Sequence, residues 1–369
     1  MRLVLMLLPF ALATAAAQDD PPKRPKLGND ADTNDARAYY AWGNQANVSR
    51  ARTAEARYWA YRLEPNDVSY FYGWWRALLA KQPVNWQADY FAGAKYAVKS
   101  REAKLIDSLR PDILQRNPFP FVRTPCYYPE LVDSRDPVVA SLMFLDRGCH
   151  QHAAERILAA LERKPEYWGL HVERARSLFI LQRYREAGAE ITIVLDSLRG
   201  RDDKYLGAWY NTKEFLEHML AVTLYRGRDI PGARGALERA LTENLSYYPA
   251  HAMLSQIAMD QGDIKGALQE AELAVGLREH DGVLRYDYGV LLYRAGKLAE
   301  AEVQLAKAVE LEPYWAEARR QLAVSIDKQD KRDEAVAAYE AFLARAPKRE
   351  NIRITEAEER VAALRAAGT

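Results

Sequence analysis

The residue types best suited to chemistry lie close together near the middle of the chain. Cys149, His150 and His152 are almost contiguous, and the other cysteine, Cys126, lies upstream. A tetrahedral zinc site needs four such ligands that converge, whereas side chains at adjacent helical positions diverge by about 100°. An ordinary turn with exposed histidines is therefore expected rather than a metal site. One Cys126–Cys149 disulfide is compatible with that turn, although sequence alone does not fix its geometry.

Sequence patterns that support catalysis are missing. There is no glycine-rich phosphate loop, no His-Glu-x-x-His and no Gly-x-Ser-x-Gly. Paired carboxylates such as Asp202-Asp203 lie in polar stretches, where solvation explains them. We expect no enzymatic activity, no cofactor and no metal.

Charge and length limit the class of partner. The 52 Lys and Arg nearly balance the 51 Asp and Glu, so the chain has no global basic field to attract nucleic acid. Hydrophobic residues make up 49% of the sequence, which excludes wholesale disorder. At 369 residues, the chain predicts two domains or an elongated repeat rather than one compact core.

Residues 1–17 are typical of a secretory signal. Arg2 precedes an apolar run, Leu3 to Ala13, and three alanines, Ala15 to Ala17, supply a small-residue cleavage site. The run is too short to span a bilayer, and no cysteine follows the cut to carry a lipid. We expect an exported protein of the bacterial periplasm or cell envelope that does not span the membrane.

The C-terminal half repeats with a period of 34 residues. Alanine recurs at Ala233, Ala267, Ala301 and Ala335, and small residues lie twelve positions earlier, at Ala221, Ser255, Gly289 and Ala323. Small side chains at both places let two helices approach closely. Glycine before the second helix, as at Gly262 and Gly296, permits a tight turn.

This pattern resembles the tetratricopeptide repeat (TPR) family, whose unit is a pair of helices, A and B. Residues 282–315 match best, through Gly289, Leu292, Gly296, Ala301, Leu305, Ala308 and Pro313. The tryptophan usual at position 4 is replaced by Arg285 there and by His171 and His251 in two other units. The resemblance implies an all-α, right-handed superhelical solenoid. Six units, numbered 1 to 6 below, begin near Ser134, Trp168, Glu214, Tyr248, Gly282 and Ala316.

Other segments flank or interrupt the six units, which span 134–349. A phase slip predicts an insert near 199–213, and 350–369 is expected to form a capping helix, with Thr355 and Glu358 as its capping box. Upstream we expect a disordered lead over 18–35, degenerate aromatic-rich TPR-like helices over 36–110 and a proline-rich linker over 111–133.

The family's concave groove supplies the candidate binding residues. In the family, positions 2, 5, 9, 12 and 13 of each unit face the groove. Matching positions here hold Arg176, Phe179, Phe215, His218, Tyr225, Arg226, Tyr286, Tyr293, Arg294 and Arg320. Aromatic rings interleaved with arginines suit an extended peptide with apolar and acidic groups. The family's carboxylate clamp for chaperone tails is not matched, because Val172, Arg176, Val222 and Gln256 stand at its positions. A groove filled by the chain's own helices is the alternative.

The sequence thus favours a non-enzymatic scaffold or adaptor that binds a protein or peptide segment in the concave TPR groove. A glycan- or cell-wall-binding module is the alternative, since five of the eight tryptophans lie between Trp42 and Trp86. Those aromatics either pack the degenerate repeats or form an exposed platform.

Overall fold

A computed structural model describes residues 21–28, 30–45, 47–79, 118–119, 126, 144, 148–163, 165–166, 168–199 and 212–366. The signal segment, Trp86, residues 200–211 of the predicted insert and nearly all of the predicted linker lie outside the described residues. The described part contains α-helices and no strand, and the all-α solenoid of TPR-like helix pairs expected from the sequence is confirmed.

Helices follow one another in antiparallel order, and each packs chiefly on its chain neighbours. Their bounds are α1 Ala36–Trp42, α2 Arg50–Leu63, α3 Val68–Leu79, α4 His150–Leu161, α5 Trp168–Ile180, α6 Tyr184–Ser197, α7 Lys213–Arg226, α8 Ile230–Glu243, α9 Tyr248–Asp260, α10 Ile264–Leu277, α11 Gly282–Arg294, α12 Leu298–Leu311, α13 Ala316–Asp327, α14 Arg332–Leu343 and α15 Asn351–Ala366. Helix α4 is helix B of unit 1, and α5 to α14 are the A and B helices of units 2 to 6.

Small residues lie where helices A and B cross. The four alanines of the repeat, Ala233, Ala267, Ala301 and Ala335, are fully buried. A Cβ added to Gly289 would lie 2.7 Å from Cγ of Leu305, so the two helices of unit 5 touch at van der Waals distance there. In unit 4 the hydroxyl of Ser255 donates to the Ala267 carbonyl across the same crossing, at 2.8 Å.

The turn between helices A and B has one backbone conformation in all six units. The fifteenth residue of each unit has a positive φ: Gly148, Gln182, Arg228, Gly262, Gly296 and Asp330. The N–H of the following residue bonds to the carbonyl five residues earlier in units 1 to 5, as in Lys297 to Leu292. This is the Schellman arrangement, which closes helix A and redirects the chain.

The N-terminal helices contact the last repeat units. Arg349 forms ion pairs with Asp35 (Nε–Oδ1, 3.0 Å) and with Glu64. The backbone N–H of Lys348 donates to Asp32 at 2.6 Å. The two ends of the described chain are therefore joined by bonds between residues more than 280 positions apart.

An aromatic contact accompanies those ion pairs. The rings of Trp59 and Tyr314 meet edge to face at 5.0 Å. The guanidinium of Arg24 lies 4.7 Å from the Trp59 ring centroid and 5.9 Å from that of Tyr314. Trp59 Nε1 also donates to the carbonyl of Pro22, at 2.9 Å. The segment just after the predicted signal is thus ordered against the loop between units 5 and 6.

Helix α15 covers the end of the solenoid. Val361 and Leu364 are buried in a cluster with Phe342 of α14. The predicted capping box is wrong, because Thr355 lies inside α15, which begins four residues earlier after a 3₁₀ turn, Lys348–Glu350. Arg360 instead binds both carboxylate oxygens of Asp327, at 2.7 and 2.8 Å.

Replacing glycine with alanine should have opposite effects on stability at position 15, where φ is positive, and in the middle of a helix. Gly296→Ala should lower the free energy of unfolding by about 1 kcal/mol, because an L-residue in the left-handed region is strained even where space is open. Gly235→Ala, in the middle of α8 and with only an ordinary 3.6 Å contact, should raise it by about 0.5–1 kcal/mol. Urea unfolding of both variants provides the measurement. Equal signs for the two variants would contradict the turn assignment.

Candidate functional site

In units 2, 4, 5 and 6, the side chain at position 4 fixes the start of helix A. Nε2 of His171 and of His251 lies 3.0 and 3.1 Å from a loop carbonyl six residues earlier, that of Pro165 and that of Leu245. Arg285 and Arg319 donate to the equivalent carbonyls, of Glu279 and Pro313, each at 2.8 Å. A polar group thus anchors the start of helix A where the family usually has tryptophan.

The same position 4 side chains also reach helix B. Nδ1 of His171 lies 2.6 Å from Glu190, and Nδ1 of His251 lies 2.8 Å from Glu270. Arg285 donates to Gln304 at 2.7 Å. Unit 3 reverses the charges: Glu217 accepts two hydrogen bonds from Arg239, each 2.8 Å. His171, His251 and Arg285 are recognisable from the sequence only as replacements of the family's tryptophan, although the acid or amide at position 23 of the same three units was a usable signal.

Two buried histidines respond to pH in opposite directions. Burial acts to lower the pKa of His171, but its hydrogen bonds to Glu190 and the Pro165 carbonyl outweigh burial, so the pKa is raised. Burial lowers the pKa of His218 to about 4, and its ring bonds only to the Tyr247 hydroxyl, at 3.1 Å. His171 therefore stabilises the fold when protonated, and His218 when neutral.

The two shifts predict opposite pH profiles for matched variants. The stabilisation from His171 is fully present below pH 6.5 and is lost as the pH rises through its raised pKa, so His171→Gln should be most destabilising at low pH. The stabilisation from His218 is present above pH 6.5 and is lost as the pH falls toward 4. The deficit of His218→Gln relative to wild type should accordingly shrink by about 2 kcal/mol between pH 8 and pH 5.

Denaturant midpoints of wild type and both variants at pH 5, 6.5 and 8 provide the comparison. Parallel curves for the two variants would show that neither pKa is shifted as described.

The N-terminal half of the predicted groove is filled. The Phe179 ring is stacked under Phe119, with the centroids 3.8 Å apart and the planes at 3°. Phe215 and His218 are only 4% exposed and belong to the packed interior. Arg176 pairs with Glu173 on its own helix. These four predicted contact residues therefore pack or pair within the chain. Phe119, which covers Phe179, does not belong to a helix.

The C-terminal half of the predicted groove carries a network of internal bonds. The Tyr225 hydroxyl donates to Asp260 of unit 4, which also accepts from Gln256 at 2.7 Å. The ring of Tyr286 lies against Trp315, at 4.4 Å between centroids, and its hydroxyl donates to Glu317 at 3.3 Å. Arg320 and Arg353 bind that same carboxylate. These groups order the groove and are mostly satisfied within the chain.

An open cleft of about 220 Å³ lies between α9, α10 and α11. Groove-facing positions 5, 9 and 12 of unit 4 line it with Ala252, Gln256 and Met259, and unit 5 adds Val290 and Arg294. Tyr293, which directly precedes Arg294 in the sequence, is half-buried. Arg294 and its counterpart Arg226 are exposed, and neither guanidinium forms a hydrogen bond or ion pair with any described residue. The cleft therefore combines apolar side chains with the guanidinium of Arg294 and the carboxylate of Asp287.

The aromatic side chains described in the N-terminal helices pack on one another. Trp59, Tyr70, Phe71 and Trp74 are at most 7% exposed. Tyr61 stacks on Phe71 at 4.6 Å and lies parallel to Trp74 at 6.0 Å. Among residues 30–79, the described tryptophan and phenylalanine rings thus form an interior and a contact with Tyr314, and no exposed platform results.

The structure also shows the contacts of the cysteines and histidines near position 150. The disulfide hypothesised from the sequence is present between Cys126 and Cys149, with a Cα–Cα distance of 4.5 Å. His152 stacks on Phe144, and burial lowers the pKa of His150. Within the described ranges, no cluster of His, Cys, Asp and Glu fits a metal ion, and no helix is long and apolar enough to cross a bilayer.

Comparisons with known proteins identify no family. No family model matches the chain. An uncharacterized protein of Haemophilus influenzae is 30% identical over 82 residues, which are 22% of this chain and 46% of that protein. The chain thus spans under half the length of this curated relative.

Three solved structures are similar over about half of the chain. The C-terminal part of a TPR repeat-containing protein from Cytophaga hutchinsonii matches 61% of this chain and 93% of its own, at a TM-score of 0.48 and 14% identity. YrrB, described as a TPR protein with an unusual peptide-binding site, matches 56% of this chain and 100% of its own, at a TM-score of 0.43 and 21% identity. MamA matches 47% of this chain and 94% of its own, at a TM-score of 0.40 and 16% identity. At these scores the likenesses assign no function.

Proposed function

We propose that this protein is a non-enzymatic adaptor that holds a segment of another protein on the concave surface of units 4 and 5. The observation that carries the proposal is the open cleft between α9 and α11, which the exposed Arg294 helps to line. Arg226 is exposed at the equivalent position of unit 3. Its 220 Å³ suits one apolar side chain. Arg226 and Arg294 would then bind carboxylates or backbone carbonyls of the same segment.

Export to the periplasm or cell envelope is part of the proposal. It is supported by the charged start, apolar run and alanines of residues 2–17. The Cys126–Cys149 disulfide is compatible with an oxidising compartment. Cell fractionation with N-terminal sequencing of the mature chain tests it, and a product that retains Met1 in the cytoplasm would contradict it.

Loss of the two free guanidinium groups should weaken binding without weakening the fold. Peptides selected by wild-type protein from a displayed random library should carry an apolar residue flanked by carboxylates. The double change Arg226→Ala and Arg294→Ala should weaken their binding at least tenfold, since each charge-assisted hydrogen bond contributes about 1.5–3 kcal/mol. Fluorescence anisotropy gives the dissociation constants.

The matched control removes two exposed cations at position 18, on helix B: Arg185→Ala with Lys265→Ala. This pair should leave both peptide affinity and melting temperature unchanged. If the arginine pair lowers the melting temperature while affinity is retained, the arginines only stabilise the ends of their helices, and the groove assignment is wrong.

A further inference from the structure

The groove of unit 2 is occupied by a segment from outside the repeats. Phe119 is 1% exposed and belongs to the same buried cluster as Val172, Phe215 and Met219. Its neighbour Pro118 is also buried. Neither residue is helical, so this contact differs from the helix-on-helix packing that builds the rest of the solenoid.

The partner of Phe119 stands at a groove position. Phe179 is residue 12 of unit 2, which is the position that Tyr225, Met259 and Tyr293 hold in units 3, 4 and 5. In unit 4 the equivalent Met259 lines the open cleft. The ring of Phe119 therefore occupies the place in unit 2 that corresponds to the open cleft of unit 4, where an external side chain would bind.

A disulfide holds this segment near its site. Cys126 follows Phe119 by seven residues and is bonded to Cys149, which directly precedes helix α4. Without the bond, the covalent path from Phe119 to Cys149 is 30 residues long. Because effective concentration falls as a tether lengthens, the bond favours occupancy of the site by this segment, by a few-fold.

We propose that the groove of units 2 and 3 is a recognition site for a proline-aromatic segment, and that Pro118-Phe119 is its built-in occupant. An external segment with the same chemistry binds by displacing it. This extends the proposed function to a second part of the concave surface and names its ligand class. The ligand inserts one aromatic ring, preceded by proline, onto Phe179, and needs no charge.

The test uses the full-length chain and a labelled peptide with the sequence of residues 116–122, Arg-Asn-Pro-Phe-Pro-Phe-Val. Phe119→Ala empties the site, so it should bind the peptide at least tenfold more tightly than wild type. A peptide with alanine at the place of Phe119 should not bind. The double variant Cys126→Ser with Cys149→Ser keeps Phe119 but lengthens its tether, so it should bind the peptide a few-fold more tightly than wild type.

Two controls separate recognition from loss of core. Phe342→Ala removes a fully buried ring from α14, away from the site, and should gain no peptide affinity. Phe179→Ala introduced into the Phe119→Ala chain should abolish the gain. If neither Phe119→Ala nor the serine variant binds the peptide better than wild type, Phe119 is ordinary core and the inference is overturned.

The outcome is independent of the cleft in units 4 and 5. Peptide binding to the emptied site should persist when Arg226 and Arg294 are alanine. Loss of the library-selected peptides with retention of this one supports the present inference alone, and the reverse result supports only the proposed function.

Discussion

The structure depends on the close approach of helices A and B at the small residues of each unit. Ala301 is completely buried, and Gly289 has no room for a methyl group against Leu305. That spacing leaves one way to connect the helices, through a left-handed residue at position 15. It also brings position 4 within reach of both the preceding loop and position 23. Packing thus fixes the turn, and the packed pair fixes the hydrogen bonds.

The repeat register was predictable because close packing leaves a strong mark on sequence. Alanine and glycine at fixed spacing cannot be replaced without overlap, so they identify the crossing in units 3 to 6. The left-handed turn was predictable only where glycine occupies it. Gln182, Arg228 and Asp330 adopt the same conformation, although residues of these types rarely do, because the helices on both sides impose it.

Contacts between distant segments produce no comparable pattern in the sequence. The ion pairs of Arg349 with Asp35 and Glu64 join the end of unit 6 to the predicted lead and to the degenerate helices that follow it. Tyr314 is not part of the repeat pattern, yet its ring contacts Trp59 and Arg24. The sequence left a groove filled by the chain's own helices open as the alternative, but it did not identify Phe119. That residue lies in a proline-rich stretch with no periodicity, so nothing local predicts its contact with Phe179. The sequence predicted which residues face the groove. It did not predict whether each of those side chains already contacts another part of the chain.

These contacts also limit the kind of partner the protein can hold. Some carboxylates and guanidinium groups along the described groove already neutralise one another, as Glu317 does with Arg320 and Arg353. The near-zero net charge supplies no long-range attraction, so association should proceed without electrostatic steering. Affinity must then come from burying apolar side chains at a few prepared places, with a small number of hydrogen bonds that set direction. In the function proposed above, the cleft beside Met259 and the ring of Phe179 would be two such places, and they lie two units apart. A single extended segment with two apolar anchors could engage both only by displacing Phe119, so occupancy of the second place would depend on the affinity gained at the first.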